Sequence, residues 1–272
     1  MTRIVNNCVA LVCLCLFWGQ SLRAADASHS EQIKWGNESV FNEEHNTLGL
    51  FSGVLGGQIV LAGGTSDDYS RWGRNAVCLS ENAGFALYED VLSKPLAYGA
   101  SITLSDGILC IGGRDSSQCY KDVFLVTMQQ GKLNVSEDWP PLPFPLSNAA
   151  GALLDNKVYL FGGRKSVSPS RLSDSFFVLD LSNKSRGWKE LPGYPGCVRE
   201  DAILVVQNNG VSPCLYLLGG QTETEEGLSS CLTDGYVYNP QLGKWSSLGS
   251  DFPKGICAAA VSYTHLTLPT NR

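Results

Sequence analysis

Three arginines and one tryptophan lie in segments that follow short apolar stretches ending in paired glycines. They are Arg74, Arg114, Arg164 and Trp72. An arginine guanidinium is planar and can donate two parallel hydrogen bonds to a carboxylate. An indole ring offers a flat apolar face on which a ligand can stack. Two interpretations remain open from the residues alone: they bind an anionic ligand, or they are ordinary solvated loop residues.

Several other chemistries find no support in the sequence. Only three histidines occur, His29, His45 and His265, which argues against a metal site built from several histidines. There is no Gly-x-Ser-x-Gly nucleophile motif, no P-loop and no zinc-ligand spacing. The formal charge is −6, with 20 basic against 26 acidic residues. Because no basic excess is available to neutralise phosphates, we expect no nucleic-acid partner.

The elements that carry these loops form a repeat. Four apolar segments end in a glycine pair, and their second glycines are Gly64, Gly113, Gly163 and Gly220, separated by 49, 50 and 57 residues. A period of about 50 residues with a double glycine is typical of kelch repeats. The sequence resembles the kelch β-propeller family over residues 33–263, which predicts an all-β fold made of four-stranded blades.

Each repeat has the same predicted order of strands. A strand rich in small residues precedes the apolar strand, a variable loop follows the glycine pair, and third and fourth strands complete the blade. Trp188 and Trp245 mark the fourth strand in two repeats. Inner strands are apolar on both faces because each blade packs between two others. We expect blades at about 46–92, 97–140, 147–191 and 199–248, and the start of a fifth at 256–262.

Both ends of the chain differ from the repeats. Residues 8–18 form an apolar run of signal-peptide length, preceded by Arg3 and followed by Ala24, Ala25 and Ala27. We expect residues 1–25 to be a signal peptide and the protein to be exported, periplasmic or secreted, the alternative being a buried N-terminal element. No later apolar run is long enough to cross a membrane. Residues 264–272 resemble a translated sequencing adapter and are expected to be a non-native tail; a natural irregular terminus is the alternative.

Seven cysteines follow the predicted signal peptide, so at least one is unpaired within the chain. Cys110 with Cys119, and Cys214 with Cys231, flank glycine pairs and can lie on neighbouring strands. Export permits disulfides there, and buried free thiols are the alternative.

A narrower resemblance covers residues 48–64, 96–113, 195–206, 215–220 and 234–248. These stretches resemble blades of the sialic-acid mutarotases, also called N-acetylneuraminate epimerases, which are exported six-bladed kelch proteins. Their order suits the cyclically permuted branch of that family, with about four and a part of six blades present. The resemblance implies binding of sialic acid and interconversion of its α and β anomers by acid–base ring opening, without a cofactor.

The resemblance also implies ligand contacts. Arg199 matches a Pro-Arg-Asp segment of the family, with Val198 in place of proline, and Tyr98 matches an Ala-Tyr-Gly segment. An ion pair with a neighbouring acid is the alternative for Arg199, and core packing is the alternative for Tyr98. Propeller ligands bind over the central channel on loops of one face, where Trp72, Arg74, Arg114 and Arg164 are also predicted to lie.

The family's catalytic glutamate and arginine follow the glycine turn of a blade outside this sequence. The equivalent turns here carry Thr65, Arg114, Arg164 and Gln221, none of which is an acid. The catalytic residues of this protein are therefore not identified, and we expect little or no mutarotase activity from these residues.

A non-catalytic kelch module that binds a protein or glycan is the alternative. A kelch copper oxidase is disfavoured because it needs two histidine ligands and the repeats contain only His45. A sialidase is disfavoured because no Ser-x-Asp-x-Gly-x-Thr-Trp box occurs. The oligomeric state does not follow from the sequence.

Overall fold

Four antiparallel four-stranded sheets and two small two-stranded sheets form the strands of the part of the chain that the structure, a computed structural model, describes. The described residues are 48–80, 84–224 and 227–258. The predicted signal peptide at 1–25 and the predicted tail at 264–272 lie outside them, as do the two ends of the predicted propeller region.

The first two sheets follow the chain in simple up-and-down order. The first contains β1 (Phe51–Leu55), β2 (Gln58–Ala62), β3 (Ala76–Ser80) and β4 (Gly84–Tyr88). The second contains β5 (Ala100–Thr103), β6 (Ile108–Ile111), β7 (Val123–Gln129) and β8 (Lys132–Ser136).

The last two sheets have the same order, each with a small hairpin inserted after the glycine pair. The third contains β9 (Ala150–Leu154), β10 (Lys157–Phe161), the hairpin β11 (Arg164–Ser166) and β12 (Arg171–Leu172), then β13 (Phe176–Asp180), a 3-10 helix (Leu181–Arg186) and β14 (Lys189–Glu190). The fourth contains β15 (Ile203–Asn208), β16 (Pro213–Leu218), the hairpin β17 (Gln221–Glu223) and β18 (Ser229–Cys231), then β19 (Gly235–Asn239) and β20 (Lys244–Ser247).

The sheets are the blades of a propeller. The first strands of successive sheets, β1, β5, β9 and β15, contact one another in that order, so they are the inner strands. A separate apolar core fills each space between neighbouring sheets, with Phe51, Leu109 and Phe161 among its fully buried members. Removing this apolar surface from water is the main driving force for stacking the blades. The predicted all-β propeller and its four blades are confirmed.

The two ends of the blades differ in their connections. At one end, two-residue turns with positive φ at both positions join β1 to β2, β7 to β8 and β9 to β10; they are Gly56–Gly57, Gln130–Gly131 and Asp155–Asn156. Such turns match the twist of antiparallel strands and leave no room for a binding loop. At the other end lie the longer segments that follow the glycine pairs and lead into each inner strand. We call this end the loop face.

The glycine pairs join each blade to the next by a backbone hydrogen bond. The second glycine of each pair donates its N–H to a carbonyl of the following repeat at 2.7 to 2.9 Å: Gly64 to Leu96, Gly113 to Leu146, Gly163 to Arg199 and Gly220 to Ile256. The first glycine permits the close approach. A Cβ added at Gly112 would lie 2.2 Å from the Leu146 carbonyl oxygen. Both glycines of each pair have positive φ, which a side chain disfavours.

We expect Gly112→Ala to lower the free energy of unfolding by about 2–5 kcal/mol, the sum of left-handed strain and displacement of the next blade. Gly131→Ala is the matched control because Gly131 also has positive φ but has no atom within 4 Å of an added Cβ. Gly131→Ala should lower the free energy of unfolding only by the backbone strain, about 1–2 kcal/mol. Urea denaturation of both variants measures the difference, and equal losses would contradict the inter-blade role.

One disulfide is present among the described cysteines. It joins Cys231 in β18 to Cys257, with the two Cα atoms 5.7 Å apart. Neither of the pairs considered from sequence forms, because Cys110, Cys119 and Cys214 are free and buried. The buried-thiol alternative therefore holds for these three.

Candidate functional site on the loop face

A row of left-handed residues lines the start of the inner strands. Gly49, Tyr98, Asn148, Asp201 and Ala258 all have φ between 50° and 64°. Each of the four after Gly49 donates its N–H to the carbonyl of the preceding member, at 2.6 to 2.9 Å. We call this row the belt. It places the side chains of Tyr98, Asn148 and Asp201 on three successive blades, side by side at the loop face.

Three of the residues predicted from sequence meet beside the belt. The guanidinium carbon of Arg114 lies 4.6 Å from the ring centroid of Tyr98 and 5.1 Å from that of Trp72. The two rings are themselves in edge contact, with centroids 6.3 Å apart. Trp72 follows β2 of the first blade, whereas Tyr98 precedes β5 and Arg114 follows β6 of the second blade. Two blades therefore contribute residues to this contact. We call this group the arginine–aromatic cluster.

Arg114 keeps donors available for a ligand. Its Nη1 donates to the Asp115 carbonyl at 3.4 Å, and among the residues that the structure describes no carboxylate forms a salt bridge with it. The Asp115 carboxylate instead accepts hydrogen bonds from Ser117, Gln118 and Tyr120. Arg114 is half-buried and held by two aromatic rings, so it is a pre-positioned cation that lacks a carboxylate partner in the described chain.

Arg164 is engaged by acidic residues of the next blade. It donates from Nε and Nη2 to the two carboxylate oxygens of Glu200 at 2.8 and 2.5 Å, and from Nη2 to Glu223 at 3.2 Å. Its Nη1 donates to the Ser170 hydroxyl at 2.6 Å. Both sides of its guanidinium fork are therefore occupied. Ligand binding by Arg164 stays a prediction that this geometry does not favour.

Arg74 lies outside the cluster. It forms an ion pair with Asp90, with its Nε 3.0 Å from Oδ1. Asp90 follows β4, the outer strand of the first blade, so this pair is displaced from the inner strands and the belt. Its predicted contact with a ligand at the belt is not supported by this position.

Arg199 is a buried structural residue. It has no exposed surface, and it donates to the Tyr194 hydroxyl at 2.8 Å, the Gly219 carbonyl at 2.7 Å and both oxygens of Asp234 at 2.7 Å each. The ion pair considered from sequence, with Glu200 or Asp201, is therefore corrected to Asp234. No donor reaches the loop face, so the predicted ligand contact finds no support.

The position of Arg199 in the repeat explains its burial. Its carbonyl accepts the inter-blade hydrogen bond that Leu96, Leu146 and Ile256 accept in the other repeats. An arginine thus replaces an apolar residue at a core position, and the partner carboxylate compensates for the buried charge.

We expect Arg199→Ala to lower the free energy of unfolding by about 3–5 kcal/mol, because it removes one partner of a buried pair and leaves a cavity. Arg74→Ala should cost less than about 1 kcal/mol, because its pair with Asp90 is exposed. Thermal or urea unfolding compares the two, and a loss at Arg199→Ala as small as that expected for Arg74→Ala would show that Arg199 is not a structural residue.

Asp201 is the titratable residue that the sequence did not single out for the site. Its Oδ1 accepts a hydrogen bond from the Asn148 amide at 2.9 Å, and its Oδ2 accepts one from the Gln221 amide at 2.9 Å. Burial, with a smaller contribution from the Glu200 carboxylate, raises the pKa of Asp201 from 3.8 to about 6. The available signal was its position, since it aligns with Tyr98 and Asn148 in the repeat.

We expect a pH dependence of stability that belongs to Asp201. Its folded-state pKa is raised, so the stability gained from the protonated carboxyl is present below about pH 4 and is lost as the pH rises through about 6. Relative to Asp201→Asn, the wild type should lose up to about 3 kcal/mol of unfolding free energy between pH 4 and 7. Chemical denaturation of both proteins across that range measures it, and a constant difference would contradict the raised pKa.

A cavity in the described chain lies away from the belt and the arginine–aromatic cluster. A cavity of about 250 Å³ between the first two blades is lined by Leu92, Lys94, Asp122 and Trp139 among others, and by no residue of the belt or the cluster. Within 48–80, 84–224 and 227–258, no three acidic, cysteine or histidine side chains are grouped to hold a metal ion. The same residues contain no helix long and apolar enough to span a membrane.

Comparisons with known proteins support the family resemblance that the repeats indicated. Residues 139–267 match the family model described as N-acetylneuraminate epimerase. A protein of that name from Yersinia pestis (strain Pestoides F) is 30% identical over 123 residues, 44% of this chain and 29% of the relative. Another, from Haemophilus influenzae (strain PittEE), is 30% identical over 125 residues, 46% of this chain and 30% of the relative.

Over just under half of its length, the chain is similar to the kelch-repeat N-acetylneuraminate epimerase family. A Vibrio cholerae Kelch domain-containing protein adds a match of 31% identity over 122 residues, 44% of this chain and 31% of the relative. The solved structure of YjhT has a TM-score of 0.62 at 14% identity, covering 77% of this chain and 72% of that chain, and supports the propeller fold. The alignments with these curated relatives thus span under a third of each relative's length, and the order of blades relative to theirs stays a prediction.

Proposed function

We propose that the loop face of this chain binds N-acetylneuraminate, with Arg114 holding the sugar's carboxylate. The observation that carries the proposal is the placement of the Arg114 guanidinium against the rings of Tyr98 and Trp72, without a described carboxylate partner. A guanidinium in this state can form a bidentate pair with a ligand carboxylate, which is the strongest hydrogen-bonding arrangement available to it.

The surroundings of Arg114 suit an acidic sugar. The chain as a whole is acidic, so a local cation must supply the attraction for an anion. Aromatic rings present apolar faces against which the C–H groups of a sugar ring can pack. The belt next to the cluster provides amide and carboxylate groups for the sugar's hydroxyls, at Asn148 and Asp201.

The associated reaction would be interconversion of the α and β anomers through ring opening, which requires proton transfer and no cofactor. The whole-protein activity is a proposal because the matched stretches cover about 30% of the curated relatives. That the family's glutamate and arginine pair lies outside this chain also remains a prediction.

Export of the protein is part of the proposal. The apolar run at 8–18 is its sequence basis, and the disulfide between Cys231 and Cys257 supports it, because structural disulfides persist mainly in oxidising compartments. A non-catalytic kelch module that binds a protein or glycan is the alternative function; it predicts no binding of the free sugar acid.

We expect Arg114→Ala to weaken binding of N-acetylneuraminate by about 10- to 100-fold, the typical effect of removing a charged hydrogen-bond donor. Arg74→Ala is the matched control because it removes an arginine that already has a carboxylate partner; its affinity should equal that of the wild type. Saturation-transfer NMR and calorimetry measure both. Equal affinities in the two variants would contradict the role of Arg114, and absence of binding by the wild type would favour the alternative function.

A further inference from the structure

Two hydrogen-bond acceptors of the belt are not used by the carboxylate site at Arg114. Asn148 donates its amide N–H to Asp201, which leaves Asn148 Oδ1 buried and without a hydrogen-bond partner among the described residues. Asp201 accepts one hydrogen bond on each oxygen, while an ionised carboxylate has about four acceptor positions. Buried acceptors without donors are rare in native structures, and here they mark a place where a ligand O–H or N–H fits.

We propose that Asp201 is the residue of this chain that exchanges a proton with the anomeric hydroxyl of the bound sugar acid, with Asn148 positioning it. This inference rests on the proposed function, since it requires the sugar to bind at Arg114. The expectation of little or no mutarotase activity rested on the residues that follow the glycine pairs, none of which is an acid, and this proposal replaces it with measurable activity. Asp201 lies at another position of the repeat, at the start of an inner strand.

The belt connects the two parts of the site. The Asn148 N–H donates to the Tyr98 carbonyl at 2.6 Å, and the Asp201 N–H donates to the Asn148 carbonyl at 2.9 Å. The Tyr98 ring in turn contacts the Arg114 guanidinium. The proposed carboxylate-binding cation therefore contacts one member of the belt, Tyr98, and the proposed proton acceptor, Asp201, lies two positions further along the same row.

The groups around Asp201 leave it able to change protonation state. Glu200 is adjacent in sequence and forms an ion pair with Arg164, which also pairs with Glu223. Asn148 and Gln221 hold the carboxylate in place, and burial keeps the nearby Tyr98 phenol neutral by raising its pKa. A pKa of about 6 leaves Asp201 mostly ionised at neutral pH and still basic enough to accept a proton, which is the range in which a general base is effective.

The proposed ring opening needs water as its only other reactant. The Asp201 carboxylate takes the proton of the anomeric hydroxyl, the bond between the anomeric carbon and the ring oxygen breaks, and its electron pair goes to the ring oxygen. The ring oxygen takes a proton from water, which gives the open-chain ketone and hydroxide. Hydroxide then removes the proton from Asp201. Closure on the other face of the ketone by the reverse sequence yields the other anomer.

The test measures anomer exchange and binding of N-acetylneuraminate in the same samples. Magnetisation-transfer NMR gives the exchange rate above the buffer rate, and calorimetry gives the affinity, for the wild type, Asp201→Asn and Asp90→Asn. Asp90 is the control because its carboxylate also lies at the loop face end of a blade but pairs with Arg74 away from the belt. Asp201→Asn keeps one accepted amide hydrogen bond, from Gln221. Its new amide N–H can donate to Asn148 Oδ1 once the Asn148 amide turns over, so the variant is expected to fold.

We expect the wild type and Asp90→Asn to accelerate exchange, with a rate that rises with pH through about 6 and then levels. Asp201→Asn should bind the sugar within a few-fold of the wild type and lose at least about 100-fold of the acceleration, the smaller end of general-base effects. The inference is overturned if the wild type binds without acceleration, or if Asp201→Asn keeps the rate and the pH profile; in both cases the binding proposal survives. Absence of binding by the wild type overturns both.

Discussion

The hydrogen bond from the second glycine of each pair to a carbonyl of the next repeat is the contact on which the rest of the structure depends. It recurs between all four described blades and the segment that follows the last, at nearly constant length. The bond forms only where no side chain separates the two backbones, as at Gly112 beneath the Leu146 carbonyl. A residue type that contributes no side chain to any core therefore sets the spacing and order of the blades.

The same backbone contacts create the candidate site. Once neighbouring blades are held in this register, the residue before each inner strand is drawn into the belt with a positive φ. Asparagine and aspartate adopt that conformation more readily than most residues, which suits Asn148 and Asp201. Tyr98 is less suited to it, and its ring stacks over the Gly49 position and against Arg114. Blade packing and ligand chemistry are thus coupled through one row of residues.

Competition for carboxylates determines which arginines are available to a ligand. Arg74, Arg164 and Arg199 each have an acidic partner, and Arg199 occupies a core position that is apolar in the other repeats. Arg114 instead lies between aromatic rings. Since a guanidinium that already has a bidentate carboxylate must lose that pair to bind an anion, the four arginines are unequal although their sequence contexts look alike.

The sequence by itself determined the fold and the spacing of its blades, because the glycine pairs recur at nearly equal intervals. The positive φ that these pairs adopt is a local property of glycine and can be read from the sequence. It also named Trp72, Tyr98 and Arg114, whose loops the repeat places at one end of the blades. Only the tertiary structure decided that Arg164 and Arg199 are paired, since their partners Glu200, Glu223 and Asp234 lie 35 to 59 residues away. It also decided that Asp201 carries a raised pKa, because its burial and its hydrogen bonds depend on Asn148 and Gln221, which lie 53 and 20 residues away in the sequence.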